Sequence, residues 1–134
     1  MATSAADDTA RRSPAELSDA FGQALARGDL DSAMEMWAED ASIINPAGEV
    51  VSGRQAIGEV LRALIDNGAE VGIEVSRIIE AGDVALGLGT LTLGGTSGDG
   101  ERFHQQSSSA VIYSRAADGR WQLAIDAPWG LPGA

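Results

Sequence analysis

The chain has no cysteine, and its nine basic residues are all arginine, so it has no lysine either; histidine and tyrosine occur once each in 134 residues. Without cysteine there are no disulfides, thiolate nucleophiles or Cys-bound zinc, and the redox compartment stays open. Without lysine there is no Schiff base and no phosphate-loop lysine. A single histidine, His104, rules out a multi-histidine metal site within one chain, and no spaced Asp/Asn loop of the calcium type occurs. No metal and no cofactor are therefore expected. No apolar run is long enough to span a bilayer, and the first residues carry no apolar signal core. The expected location is cytoplasmic, with no membrane partner. The formal charge is −11 and the pI about 4.2. Such a surface repels phosphate backbones, so no nucleic-acid partner is expected, and the acidity reads as a device for solubility.

What remains is well patterned. Residues 1–12 are small, polar and charged, and read as a disordered tail. Ser13, Pro14 and Glu16 form a capping box with proline at the first helical position. Leu17, Ala20, Phe21, Ala24 and Leu25 then recur at helical spacing up to Gly28. Asp29 caps a second helix expected over Leu30 to about Trp37. A strand is expected at Ala41–Asn45, a turn at Pro46 and a return strand at Val50-Val51. Ser52 and Gln55 suggest a second capping box, opening a helix with Ile57, Val60, Leu61, Leu64 and Ile65 on one stripe and a stop at Asn67-Gly68. From Glu70 the period becomes two. Four antiparallel strands are expected: Glu70–Glu80, Val84–Leu93, Arg102–Ser114 and Trp121–Trp129. Gly87 and Gly89 share one face of the second of these, where glycine permits curvature or close approach. Helices first and strands after indicate an α+β fold, with a curved antiparallel sheet wrapped around N-terminal helices and a pocket at its open end. One domain over 13–130 and a short tail at 131–134 complete the division.

Several of these segments resemble a known superfamily. Phe21-Gly-Gln-Ala-Leu-Ala-Arg-Gly-Asp-Leu-Asp, Trp37-Ala-Glu-Asp-Ala, Asn45-Pro and Ser52-Gly-Arg-Gln-Ala-Ile are similar to the opening half of the ketosteroid isomerase and SnoaL-like superfamily. Asp118-Gly-Arg-Trp121 and Ile125-Asp-Ala-Pro-Trp129-Gly resemble the end of its small stand-alone bacterial members of unassigned function. The resemblance runs from Leu17 to Gly130. It implies the cone-shaped nuclear transport factor 2-like (cystatin-like) roll. Its functions range over isomerases, cyclases, dehydratases, epoxide hydrolases, ligand binders and assembly domains, so fold does not settle function. Carried over residue by residue, the isomerase's oxyanion tyrosine corresponds to Phe21, its general-base aspartate to Asn45 and its protonated acid to Ala110, give or take one position. None of these three can fill its role, so the steroid isomerase triad is absent.

Other residues could carry chemistry. His104 can serve as a general acid or base near neutral pH. It shares strand phase with Gln106, Ser108, Ala110 and Ile112, and the match at Ala110 implies that this phase faces the cavity. The alternative is an exposed histidine beside a hairpin end. Asp126, between Ile125 and Ala127, would titrate high if buried, and the SnoaL-like cyclases imply a late-strand carboxylate paired with histidine. Strict alternation instead puts Asp126 on the face opposite Trp121, Leu123 and Trp129, unless a bulge before Pro128 reverses it. Phe21, Trp37, Asn45 and Trp129 could form an apolar pocket with one orienting amide, or the aromatics could be core. Tyr113 could donate from its hydroxyl or sit at an interface. The polar run Gln105–Ser109 fits either a dimer interface or a polar pocket.

Three functions are thus open. One is a cofactor-free isomerase, cyclase or dehydratase acting on an apolar or polycyclic, polyketide- or steroid-like molecule through His104 and Asp126, with Phe21, Trp37, Asn45, Gln106, Ser108 and Trp129 binding it. Another is a ligand binder without turnover. The last is a homodimeric interaction module. All three are expected to self-associate through the sheet.

Overall fold

Ser13 opens the first helix, α1 (Pro14–Ala26), through the expected capping box: its hydroxyl accepts from the Glu16 amide at 3.2 Å and the Glu16 carboxylate accepts from the Ser13 amide at 3.0 Å. This geometry comes from a computed structural model that describes residues 12–45, 47–96 and 99–128. Most of the expected 1–12 tail, together with Pro46, Trp129, Gly130 and the 131–134 tail, lies outside the described residues. Gly28 leaves α1 at φ 73°, a conformation suited to glycine. Asp29 caps α2 (Leu30–Glu35) by accepting from the Ser32 amide at 3.1 Å.

The second helix is shorter than expected, and the first strand longer. Trp37 begins β1 (Trp37–Ile44) because it pairs in parallel with Leu123, a long-range partner that local periodicity does not reveal. β2 (Val50–Ser52) returns antiparallel to β1. α3 (Arg54–Asp66) carries the expected stripe, with Ile57 and Leu61 buried. Its cap differs from expectation. Gly53 is the N-cap at φ 90° and makes no side-chain cap bond, while the Ser52 hydroxyl is engaged by Ser42 across the β1–β2 ladder at 2.8 Å.

The remaining strands are β3 (Glu70–Ala81), β4 (Val84–Thr96), β5 (Arg102–Arg115) and β6 (Trp121–Ala127). All six strands form one curved, unclosed sheet in the order β2-β1-β6-β5-β4-β3. The four long strands are antiparallel as expected, and the β1–β6 pair is parallel. The helices cover the concave face, with Leu17, Phe21, Ala24, Trp37, Ile57, Leu61, Tyr113 and Leu123 in one core.

Two irregularities set which residues reach that core. In β3 the register shifts between Val75 and Arg77, so Ser76 is the extra residue and Ile78 comes to the concave side. In β6 it shifts between the pairs Tyr113–Leu123 and Ile112–Ile125, so Ala124 is extra. Leu123 and Asp126 therefore share the concave face, and Ile125 is 48 % exposed on the convex one. Glycine is required at two points of β4. A Cβ on Gly89 would run into the Glu74 carbonyl beside the β3 bulge, and one on Gly87 would sit 2.8 Å from the Tyr113 hydroxyl and 3.0 Å from Val111.

Gly87→Ala should cost about 1–3 kcal/mol, the usual range for overpacking a filled core. Urea unfolding of the two proteins measures it; equal midpoints would mean that the Tyr113 ring is not confined as described.

Candidate functional site

Between the helices and the sheet lies an apolar cleft of two lobes, each about 30 Å³. One lobe reaches toward α3 through Val60 and Leu64; the other reaches across the sheet to Gly87 and Ser109. Phe21, Ile73, Leu91, Asp126 and Pro128 line both, so the Asp126 carboxyl stands where they meet. Each lobe is large enough for a water molecule as it stands.

Asp126 is here because of the Ala124 bulge, which turns aside the strict alternation that would have sent it outward. No hydrogen bond reaches its carboxyl from the described residues. Loss of hydration disfavours the charged form and pushes its pKa from 3.8 up to about 7. Beside it, Tyr113 is fully buried on β5 and shares a 2.5 Å hydrogen bond with Ser18 of α1. Burial raises the Tyr113 pKa, the Ser18 bond partly opposes this, and the Asp126 charge raises it further. Ser18 itself lines the cleft. When Tyr113 donates to Ser18, the Ser18 proton is free to point at a ligand, so one wall offers a hydroxyl donor and another a carboxyl able to give or take a proton.

The other expected site residues separate. Phe21 lines both lobes of the cleft. His104, Gln106 and Ser108 do not. The concave phase of β5 is Ser109, Val111 and Tyr113, so His104, Gln106, Ser108 and Ala110 lie on the convex face, and His104 is exposed opposite Gly94. The match at Ala110 was one residue out of phase, and the pairing of His104 with Asp126 fails because the sheet lies between them. Asn45 is absent from the cleft lining. Its carbonyl accepts from the Glu49 amide at 2.9 Å and its amide donates to the Glu49 carboxylate at 3.3 Å, so both ends close the β1–β2 hairpin. Trp37 is core, 1 % exposed and edge-on to Phe21 at 5.6 Å between ring centroids. Its indole N–H is buried without a partner among the described residues. Trp129 lies outside the described residues. No group of three or more metal-ligating side chains occurs among the described residues.

Sequence reasoning missed Ser18. It stands three residues before Phe21 and seven before Leu25, the one polar residue on the apolar stripe of α1, and that position was the available signal. Tyr113 was read as a hydroxyl donor or an interface residue; its hydroxyl is interior, bonded to Ser18.

The SnoaL-like domain family matches residues 18–124. The chain belongs to this family. No curated protein matches this SnoaL-like chain. Among solved structures it is similar to a nuclear transport factor 2-like protein with a cystatin-like fold from Novosphingobium aromaticivorans. That pair has TM-score 0.73 and 21 % identity, over 90 % of this chain and 80 % of that one. A ketosteroid isomerase-like protein from Erwinia carotovora atroseptica gives TM-score 0.73 at 16 % identity, over 83 % and 88 %. A candidate dehydratase of the nuclear transport factor 2-like family from Streptomyces avermitilis gives 0.68 at 22 %, over 84 % and 91 %. At these identities the likeness concerns the fold, and it agrees with the α+β roll expected of a SnoaL-like domain. No helix is long and apolar enough to cross a membrane among the described residues.

The raised Asp126 pKa makes a signed prediction. Between about pH 4 and 7 the folded SnoaL-like domain holds a proton that the unfolded chain has released, so this group's contribution to stability is intact at low pH and is lost as pH rises through 7. From the shift of 3.8 to about 7, the loss is up to about 4 kcal/mol. Asp126→Asn should therefore gain on the wild type from pH 4 to about pH 7 and level off above it in denaturant titrations; a constant difference across that range would contradict a desolvated carboxyl.

Proposed function

We propose that this SnoaL-like protein acts on a small apolar molecule by proton transfer at Asp126, as a cofactor-free isomerase, cyclase or dehydratase. The observation that carries the reading is a lone carboxyl, unpartnered among the described residues, at the junction of an apolar cleft. Such a group is poised near neutral pH to act as base when ionised and as acid when protonated. In the simplest step the Asp126 carboxylate takes a proton from a carbon beside a substrate carbonyl. The charge left on the carbonyl oxygen is met by the Ser18 hydroxyl, and the proton returns at another carbon. The lobes as they stand favour a compact substrate. A polycyclic one would require the α3 wall at Val60 and Leu64 to part from the β3 wall at Val71 and Ile73.

The test is deuterium uptake beside the carbonyl of small cyclic ketones in D2O. Exchange should rise with pH through about 7, fall on the order of a hundredfold or more in Asp126→Asn, and be unchanged in His104→Ala. No protein-dependent exchange, or equal exchange in Asp126→Asn, would sink the catalytic reading. Binding of the ketone without exchange would establish the second reading, a non-catalytic ligand binder. That reading is supported by the substituted isomerase positions Phe21 and Asn45 and by the small lobes.

For the partner we infer a second copy of this chain on the convex face of the sheet. Register aligns Ile79, Leu86, Ile112 and Ile125 across four strands, with Leu88 beside them. Ile79, Ile125 and Leu88 are 49, 48 and 37 % exposed. The convex positions of β4 to β6 near this row are Leu86, Leu88, Thr90, Ser108, Ala110, Ile112, Ile125 and Ala127. None is acidic, although the chain has 20 acidic residues. Two copies of charge −11 would repel, and the apolar row, with Glu74 and Arg77 of β3 at its margin, is where they can meet. Sedimentation should show a dimer that Ile125→Arg dissociates; a monomeric wild type would end this inference.

A further inference from the structure

A second hollow, of about 460 Å³, opens on a neighbouring face of α1. Leu17, Ala20, Gln23 and Arg27 line it, whereas Ser18, Phe21 and Leu25 line the Asp126 cleft. It is far roomier than either lobe of that cleft, and its lining is of a different kind. Three of the chain's nine arginines, Arg12, Arg27 and Arg120, stand around it with a single carboxylate, Glu35. Among the lining side chains alone the cations outnumber the anions, in a chain with 20 acidic residues. Leu17, Ala20, Met36 and Trp121 supply an apolar floor.

The arginines have acidic neighbours, and their geometry leaves donors free. Arg27 meets Asp29 at 3.3 Å through one terminal nitrogen, and Arg120 meets Asp118 at 2.8 Å through Nε. Both pairs are substantially exposed, a setting in which ion pairs are weak and readily shared. Among the described residues the Arg120 fork keeps both terminal nitrogens, and Arg27 keeps Nε and its other terminal nitrogen. Arg12 lies near Glu16, whose carboxyl is lowered first by its bonds to Ser13 and then by Arg12. Arg115 lies 4.5 Å over the Trp121 ring and 3.9 Å from Asp83, and it is not part of the lining.

We propose that this hollow binds a small organic carboxylate, its anionic end between Arg27 and Arg120 and its apolar or aromatic body on Leu17, Ala20, Met36 and Trp121. The guanidinium fork matches a carboxylate in geometry. With Glu35, Asp29 and Asp118 counted against Arg12, Arg27 and Arg120 the charges around the hollow balance, which suits one negative group held by free guanidinium donors better than a dianion, and the apolar floor needs a body that inorganic anions lack. The overall charge of −11 repels a polyanion but is screened over about 8 Å at physiological salt, leaving the local arginines to govern a small ligand.

The test titrates phenylacetate into the full chain and follows the Trp121 indole N–H by two-dimensional NMR, with Trp121→Phe fixing the assignment. A saturable shift is expected. It should weaken with added salt, be absent with the neutral isostere 2-phenylethanol, and be far weaker with inorganic phosphate. Arg27→Gln/Arg120→Gln should raise the dissociation constant by about tenfold or more, as the loss of charge-assisted bonds implies. Arg120→Lys keeps the charge and loses the fork, so it should weaken binding by a smaller factor even if the double variant folds poorly. Asp126→Asn should leave binding unchanged, which separates this site from the cleft. The proposal fails if no saturable shift occurs, if 2-phenylethanol or phosphate binds equally well, if Arg120→Lys has no effect, or if Asp126→Asn abolishes binding.

Discussion

A single buried hydrogen bond ties the two halves of this protein together. Ser18 comes from α1 and Tyr113 from β5, far apart in sequence, and their hydroxyls meet at 2.5 Å in the interior. A tyrosine hydroxyl without a partner would be costly there, so the bond fixes how α1 seats on the sheet. It also makes demands on its neighbours. The Tyr113 ring occupies the space that a side chain at residue 87 would need, so β4 carries glycine at that point. Phe21, one turn along α1 from Ser18, then lies against Trp37 at the start of β1, which joins the parallel β1–β6 pair to the same core.

The cleft is a consequence of that seating and of one extra residue. With Ala124 bulged out of the β5–β6 ladder, Leu123 and Asp126 both turn inward, and a carboxyl is delivered into surroundings of Phe21, Ile73, Leu91 and Pro128. Desolvation alone raises its pKa to about 7. A fold that spends stability to hold an acid in an apolar site has a local inconsistency, and such inconsistencies concentrate where function resides. The Ser18 and Ser109 hydroxyls and the Asp126 carboxyl are the polar side-chain groups that line this cleft beside its apolar walls. The arginine-lined hollow on the neighbouring face of α1 has the opposite character, being roomy and exposed, with cations outnumbering anions among its lining side chains. The two would select different ligands.

The convex face of the sheet follows from the same bulges. Once Asp126 is inside, Ile125 is outside, and it joins Ile112, Leu86 and Ile79 in an uncharged row across four strands. The polar run in β5 splits along the pleat. His104, Gln106 and Ser108 face outward beyond that row, and Ser109 faces the cleft.

The sequence by itself determined the local structure. The caps at Ser13 and Asp29, the stripes of α1 and α3 and the alternation of the long strands are all effects of neighbours within a few residues, and they sufficed for the α+β class. The helix-to-strand change at Trp37 was not legible, because a parallel partner more than eighty positions away decides it. The Ser52 cap failed for a related reason, since Ser42 on the opposite strand takes its hydroxyl. The candidate site was less legible than the fold. Phe21 and Asp126 were named, but the orientation of Asp126 depends on a one-residue bulge, and a period of two has no means of showing where such a bulge falls. Of the two readings open for His104, the one facing the cleft rested on a match one residue out of phase, which in a strand exchanges inside for outside, and the exposed histidine is what the structure has. Only the tertiary structure could decide which face each strand residue occupies, because that choice rests on register between strands, and register is a long-range property.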